Sequence, residues 1–306
     1  MNPVCIVIVT RNRLEMLKVC VTAARKNAQG ADILVVDNAS TDGSGEWLKG
    51  QSGIKILRMC ENTGGSGGFA AGMDWAYAQG YEWMWIMDDD VMPLPQGLCR
   101  LLGSARATGA KMIQPTKLDA HGRVFEHDGM IDVHSFRRLQ LTYARVFGDA
   151  DAVTCTAANF EGLFVHRSVI DAVGGPPADF FLALDDAYYG WLASRHVKFV
   201  YVRYPCIQKQ FDKEHLVVGG RRFLSSTPFS RFFHVRNFVR IIRLEHLGIR
   251  AWLQFLFEFG RAAALTLILD RKLKGFLWLF VAIRDGWRGN LADSNRCFLK
   301  WNDSHG

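Results

Sequence analysis

Apolar runs and polar breaks alternate along the first two-thirds of the chain. Val4–Val9 is a β-branched run with no polar interruption, the mark of a strand buried on both faces. Apolar residues at helical spacing follow from Leu14 to Ala28, and then come two short strand-like runs, Ile33–Val36 and Ile54–Met59. The spacing predicts a helix over Ala70–Gln79 and a further buried strand over Trp83–Met87, bounded by Gly80 and Pro93. Beyond these, Asn159–Val165 reads as a strand, and Ser168–Val173 and Ala187–Ser194 read as helices. Strands alternating with helices predict an α/β fold, with a parallel sheet covered by helices on both faces.

Polar and glycine-rich sequence falls just after each strand, where open α/β sheets place their ligands. The Trp83–Met87 run ends in Asp88-Asp89-Asp90. Successive side chains of a strand point to opposite faces, so Asp88 and Asp90 share one side and Asp89 takes the other. Two carboxylates on one side stay ionised cheaply only with a cation between them, and hard oxygen ligands suit Mg²⁺ or Mn²⁺. A solvated acidic turn capping the next helix is the plainer alternative. Thr10 and Arg13, past the first strand, are candidates to hold a nucleotide. Asp37 could accept hydrogen bonds from a ribose or base edge, or form an Asx turn with Asn38. Gly64, Gly65, Gly67 and Gly68 read as a loop that lets backbone amides approach a phosphate. That loop matches neither the P-loop nor the dinucleotide fingerprint. Later, Asp185-Asp186 beside Tyr188, Tyr189 and Trp191 offers a general base facing a sugar, although Asp185 alone could be a helix N-cap.

Charge divides the chain unevenly. Residues 1–220 hold 22 Lys and Arg against 24 Asp and Glu, a net of −2, whereas residues 221–306 hold 15 against 6, a net of +9. The expected organisation is therefore a catalytic domain over 1–220 and a basic, aromatic helical region over 221–306. On a helix near Phe229–Leu244, Phe232, Val235, Val239 and Ile242 share one face and Arg236, Arg240 and Arg243 another. Ala251–Leu269 is apolar but interrupted by Glu258 and Arg261, and Phe276–Ile283 is too short to span a bilayer. Basic helices rich in Trp and Phe suit an anionic membrane surface, the alternative being that they pack against the catalytic domain or form an oligomer contact. Nothing accompanies the charge that would make it a nucleic-acid module. The seven cysteines have no C-x-x-C spacing and read as reduced core thiols of a cytosolic protein, and the N-terminus does not read as a signal peptide.

As a set, these motifs resemble the family 2 inverting glycosyltransferases of the GT-A fold, a Rossmann-like nucleotide-sugar-binding sheet. The resemblance rests on Thr10-Arg11-Asn12-Arg13, Val35 to Gly43, Asn62-Thr63-Gly64-Gly65-Ser66-Gly67-Gly68-Phe69, Met87 to Asp90 and Asp185-Asp186-Ala187-Tyr188-Tyr189-Gly190. Phe233-His234-Val235-Arg236-Asn237 and Arg284 to Gly289 extend it toward the bacterial galactofuranosyltransferase branch. It implies that Thr10, Arg13, Asp37, Asn62, Asp89 and the Gly64–Gly68 segment bind the donor. It also implies that Asp88 and Asp90 hold a divalent metal and that Asp186, beside Asp185, is the base. The family carries a histidine metal ligand some way past the base. Here the matching stretch, Cys206 to Phe211, has Lys209 instead, so His215 is the substitute ligand, or Lys209 neutralises the diphosphate itself.

The implied reaction is metal-dependent, inverting transfer of galactofuranose from UDP-galactofuranose to a lipid-linked or cell-surface glycan, at the cytoplasmic face of the membrane. Rhamnose transfer from dTDP-rhamnose is the close alternative. A nucleotidyltransferase and a catalytically silent, membrane-docked assembly subunit are the readings from other classes.

Overall fold

The computed structural model describes residues 4–124, 131–132, 134–139, 143–211, 215–218, 221–224, 226–270 and 273–305. The chain opens with β1 (Val4–Thr10), α1 (Leu14–Asn27), β2 (Ala31–Asp37), α2 (Ser44–Lys49), β3 (Ile54–Arg58) and α3 (Gly64–Ala78). Next come β4 (Trp83–Asp88), β5 (Val91–Pro93), α4 (Gly97–Thr108), β6 (Met112–Leu118), β7 (Ile131–Asp132), β8 (Arg137–Arg138), α5 (Tyr143–Phe147) and β9 (Ala152–Thr154). Then follow β10 (Leu163–His166), α6 (Arg167–Val173), α7 (Asp185–Ser194), β11 (Phe199–Lys209), β12 (His215–Val218) and β13 (Arg221–Leu224). Four helices complete the described chain: α8 (Pro228–Leu244), α9 (Ile249–Ala264), α10 (Leu273–Arg288) and α11 (Leu291–His305).

The chain forms two compact units. One comprises residues 1–131, 138–178 and 186–212; the other comprises 132–137, 179–185 and 213–306. The first unit is built on a sheet of order β3-β2-β1-β4-β10-β6-β11-β5, with β9 beside β11. The strands β3, β2, β1 and β4 are parallel, and the unbroken apolar runs of β2, β1 and β4 predict this. The sheet as a whole is mixed, however: β10 runs antiparallel to both β4 and β6. Between β9 and β10 there is no crossover helix to return the chain to a parallel start.

Alternation along β1 supplies both faces of the core. Val4, Ile6 and Ile8 join one apolar cluster with Leu17 and Val21, while Cys5, Val7 and Val9 join another with Phe69 and Met73. The expected Gly64–Gly68 loop is instead the first turn of α3. Glycine is a poor helix former, so sequence alone points away from a helix there. Close packing explains the glycines: a Cβ on Gly68 would lie 2.6 Å from Val9 Cγ1, and one on Gly72 only 2.4 Å from Val7 Cγ1. Three of the cysteines, Cys60, Cys99 and Cys297, are exposed rather than core thiols.

In the second unit, α8 is the central helix. Its Phe232 stacks on Phe298 of α11 with ring centroids 3.8 Å apart. The helix α10 lies so close that a Cβ on Gly286 would meet the Arg236 carbonyl oxygen at 2.2 Å. Arg236, grouped by periodicity with Arg240 and Arg243, is fully buried. Periodicity assigns it a face but does not reveal what covers that face. The α9 helix continues through a π-helical segment, Leu265–Leu269. The stretch Ile249–Ile268 is long and apolar enough to cross a membrane by length and composition, and most of it is not buried. Its outward positions include large apolar side chains: Ile249, Leu253, Leu256, Phe257 and Ile268 are exposed, as are Leu273, Leu277, Phe280 and Trp287 on α10.

Candidate active site

The C-terminal ends of β1, β2 and β4 carry Thr10, Asp37 and Asp88, and all three strands belong to the parallel part of the sheet. After β4 the backbone is held from the side by β11. Lys209 is paired with Val91, Gln210 N–H donates to the Asp90 carbonyl at 2.8 Å, and the Gln210 side chain donates to the Asp89 carbonyl at 2.9 Å. This clamp fixes the acidic turn and brings Lys209 to it.

The three carboxylates divide as strand alternation requires. Asp89 turns toward β1: Thr10 Oγ1 donates to it at 2.7 Å and Arg13 at 3.2 Å. Burial pushes the Asp89 carboxyl up to about 6 against the pull of both partners. Asp88 and Asp90 turn the other way and meet Glu161, with one oxygen from each of the three within 4.8 Å of the others. Asp90 is 4% exposed, and its Oδ1 is buried without a hydrogen-bond partner among the described residues, while Arg13 lies 3.4 Å from Oδ2.

Glu161 sits on the segment leading into β10. Asn159 Oδ1 accepts its N–H at 2.8 Å, and the next residue, Gly162, donates to the Ile86 carbonyl of β4 at 3.0 Å. Gly162 has φ +90, and a Cβ there would strike Ile207 at 2.7 Å. Both Glu161 oxygens accept from buried ammonium groups, Lys117 on Oε2 and Lys209 on Oε1 at 2.8 Å. Burial pushes the Glu161 carboxyl up, but the two lysines outweigh it and hold the group well below the usual carboxylate range. Among the described residues, with Asp88 to Asp90, Glu161, Arg13, Lys117 and Lys209 all charged, four acids face three bases, leaving a net single negative charge.

This donor set fits a hard divalent cation. It is all oxygen, its ligand atoms are mutually close, and one buried oxygen has no hydrogen-bond partner among the described residues. Each Glu161 oxygen has a second lone pair beyond the one its lysine takes, so Glu161 can serve beside Asp88 and Asp90.

The other candidate residues lie as follows. Asp37 is fully buried, accepting from Ser40 N–H at 2.8 Å and from Arg58, and so it closes the turn after β2. Asn38 joins that turn to the glycine-rich helix, accepting from Thr63 N–H at 3.0 Å and donating to the Gly64 carbonyl at 2.8 Å. Asn62 caps the same start by accepting Gly64 N–H at 3.0 Å. Ser66 donates to the Pro177 carbonyl at 2.6 Å, which ties the glycine-rich turn to the chain running toward α7. Asp185 is the first residue of α7, rather than a residue ahead of it, and Asp186 Oδ1 accepts the Ala187 N–H at 2.6 Å.

Gly190 lies one turn after Asp186 on the same helix face. A Cβ on Gly190 would meet Ala158 N at 2.2 Å, so that face of α7 rests on the segment that continues into Glu161. His215 opens β12, and its side chain lies outside the described residues.

Sequence reasoning missed Glu161 and Lys117. Each is a charged residue within or beside an otherwise buried strand, which is the signal that could have raised them. Bringing them together, however, requires knowing that β10 enters antiparallel beside β4.

Comparison with known proteins agrees with this geometry. The sequence profile of glycosyl transferase family 2 matches residues 5–157. Galactofuranosyltransferase GlfT1 of Mycolicibacterium smegmatis is 29% identical over 82% of this chain and 88% of its own length. Undecaprenyl-phosphate mannosyltransferase of Micrococcus luteus is 32% identical over 35% of this chain and half of its own. Among solved structures, S. aureus TarS in complex with UDP-GlcNAc superposes with a TM-score of 0.59 at 13% identity, covering 92% of this chain and 80% of that one. GalNAc-T7 with UDP, GalNAc and Mn²⁺ gives a TM-score of 0.58 at 15% identity, over 78% of this chain and 47% of that one. Its profile match spans half of the chain, and its sheet is that of the GT-A enzymes: the chain belongs to glycosyltransferase family 2.

Proposed function

We propose that the protein transfers galactofuranose, with inversion, from UDP-galactofuranose to a lipid-linked or cell-surface glycan. The observation that carries the reading is the Asp88–Asp90–Glu161 cluster at the end of β4, with a buried Asp90 oxygen that has no partner among the described residues. The near full-length likeness to galactofuranosyltransferases supports the choice of sugar. A dTDP-rhamnose donor remains the alternative at the same site.

Asp88 and Asp90, with Glu161, would hold Mn²⁺ or Mg²⁺, which supplies Lewis-acid charge to the departing diphosphate. Thr10 and Arg13 orient Asp89, so the acid motif presents one fixed face to the donor. Lys209 adds a positive charge on the leaving-group side. His215 stands as a further candidate ligand. The Asp37 turn, Asn62 and the α3 start from Gly64 and Gly65 through Gly67 and Gly68 receive the nucleoside and phosphates; helix amides favour anions. Asp186 takes the proton of the acceptor hydroxyl as its oxygen attacks the anomeric carbon. The bond to the diphosphate oxygen breaks on the opposite face, so configuration inverts. Asp185 supports the same turn.

The apolar outer faces of α9 and α10, with exposed Arg250, Arg261, Lys274, Arg284 and Arg288 among them, fit attachment to an anionic membrane surface where a lipid-linked acceptor resides. Peripheral attachment is favoured over spanning because Glu258 and Arg261 pair within the long helix and would both enter the hydrocarbon. The test of the reaction is the anomeric configuration of the product, read by NMR after transfer from UDP-galactofuranose. Inversion supports the single displacement; retention overturns it.

A further inference from the structure

The backbone that leads into Asp185-Asp186 takes an uncommon path. A short 3-10 turn over Ala178–Phe180 is followed by Phe181, Ala183 and Leu184, with φ of 63°, 68° and 63°. Residues with a Cβ rarely adopt this left-handed region, and three of them within four positions need something outside the segment to hold them.

What holds them is a pair of adjacent residues on α8. Asn237 Nδ2 lies 3.0 Å from the Phe180 carbonyl, 2.9 Å from that of Leu182 and 2.8 Å from that of Ala183. Arg236 donates to the Phe180 carbonyl at 2.9 Å and the Asp179 carbonyl at 3.3 Å. Its Nε and one terminal nitrogen also donate to Asn237 Oδ1, both at 3.0 Å, which fixes the Asn237 amide with its NH₂ toward the carbonyls. Asn295 of α11 accepts from Arg236 and donates to the Asp179 carbonyl at 3.2 Å. Both Arg236 and Asn237 are fully buried. One turn earlier on α8, Phe233 stacks on Phe181 with centroids 4.9 Å apart.

We infer that Asn237, oriented by Arg236, is a positioning residue that fixes the chain from which Asp185 and Asp186 emerge. The inference rests on the proposed role of Asp186 as the base. It gives a purpose to the Phe233–Asn237 motif that donor and metal binding leave unused. It also accounts for Gly286, whose missing Cβ lets α10 close over the Arg236 backbone. A base must stay within hydrogen-bond reach of its proton, so a slack segment here lowers turnover without touching nucleotide binding.

The test measures amide hydrogen exchange of residues 179–186 in the full chain, UDP binding, and transfer from UDP-galactofuranose to a lipid-linked acceptor. It compares wild type, Asn237→Ala, Asn237→Asp, Asn237→Ala with Ala183→Gly, and Asp186→Asn. Asn237→Ala and Asn237→Asp should exchange faster in that segment, bind UDP within about twofold of wild type, and lose about tenfold to a hundredfold in kcat. Glycine adopts positive φ at no steric cost, so Ala183→Gly should restore part of the lost turnover. Unchanged exchange, unchanged kcat, or a loss of UDP binding in proportion to kcat would overturn the inference. Full transfer by Asp186→Asn would instead remove the base reading, while the exchange data would still decide whether Asn237 holds the segment.

Discussion

The Lys209 ammonium lies 2.8 Å from Glu161 Oε1, with the two residues only 3% and 7% exposed. Lys117 takes the other oxygen, so one buried carboxylate pairs with two buried ammonium groups. Removing that carboxylate should cost about 3–5 kcal/mol, the usual consequence of leaving a buried charge unpaired. Urea unfolding of Glu161→Gln measures it; a loss under about 1 kcal/mol would show the cluster to be wet and loosely held. The sign with pH follows from the depressed carboxyl. Its stabilisation is present above the ordinary Glu value of 4.5 and is lost as pH falls below it. Wild-type melting temperature should therefore drop more steeply through that acid range than that of Glu161→Gln.

Metal affinity should respond to both signs of charge in the cluster. Asp88→Asn and Asp90→Asn should each weaken Mn²⁺ binding by about tenfold or more, as read by electron paramagnetic resonance in the presence of UDP. Lys209→Met removes a competing cation and should tighten binding of bare Mn²⁺, since like charges oppose the ion. Weaker binding in Lys209→Met would argue that Lys209 organises the ligands rather than opposing the ion.

The contact between α7 and the Glu161 segment leaves no room for a methyl group. Gly190→Ala would place a Cβ 2.2 Å from a backbone nitrogen, which cannot swing aside as a side chain can. The expected cost is about 1–3 kcal/mol, with a fall in turnover if α7 moves instead. Thermal melts and transfer assays on the same preparation separate the two responses; no change in either would contradict the packing.

Membrane attachment should depend on the exposed apolar stripe. Leu256→Glu with Phe257→Glu should reduce co-sedimentation with phosphatidylglycerol vesicles by at least about tenfold, because each buried apolar side chain contributes ~1.5–3 kcal/mol. Neutral phosphatidylcholine vesicles and high salt should weaken wild-type binding, as the basic rim requires. Equal binding of the double variant would assign the stripe to another partner.

Sequence pattern reached some of this and stopped at identifiable points. The split of Asp89 from Asp88 and Asp90 was legible because side-chain direction in a strand has period two and needs no tertiary knowledge. The strands β1, β2 and β4 were legible for a similar reason, their apolar runs being buried on both faces. Glu161 was not, because an isolated acid becomes a site residue only when an antiparallel strand carries it to the end of β4. The helical state of Gly64–Gly68 was hidden by its own composition: close contact with Val9 outweighs poor propensity. Arg236 read only as one member of a basic face, because helical periodicity sorts faces and says nothing of a distant segment folding back to accept its hydrogen bonds.

The most direct measurement is release of nucleoside diphosphate from a panel of UDP-galactofuranose, UDP-galactose, UDP-glucose and dTDP-rhamnose, supplied with Mn²⁺ and a lipid-linked glycan acceptor. The account predicts acceptor-dependent release from UDP-galactofuranose, abolished by EDTA and by Asp88→Ala or Asp186→Asn. Release from dTDP-rhamnose alone would reassign the sugar. Release that survives EDTA and Asp88→Ala would contradict the metal-dependent site itself.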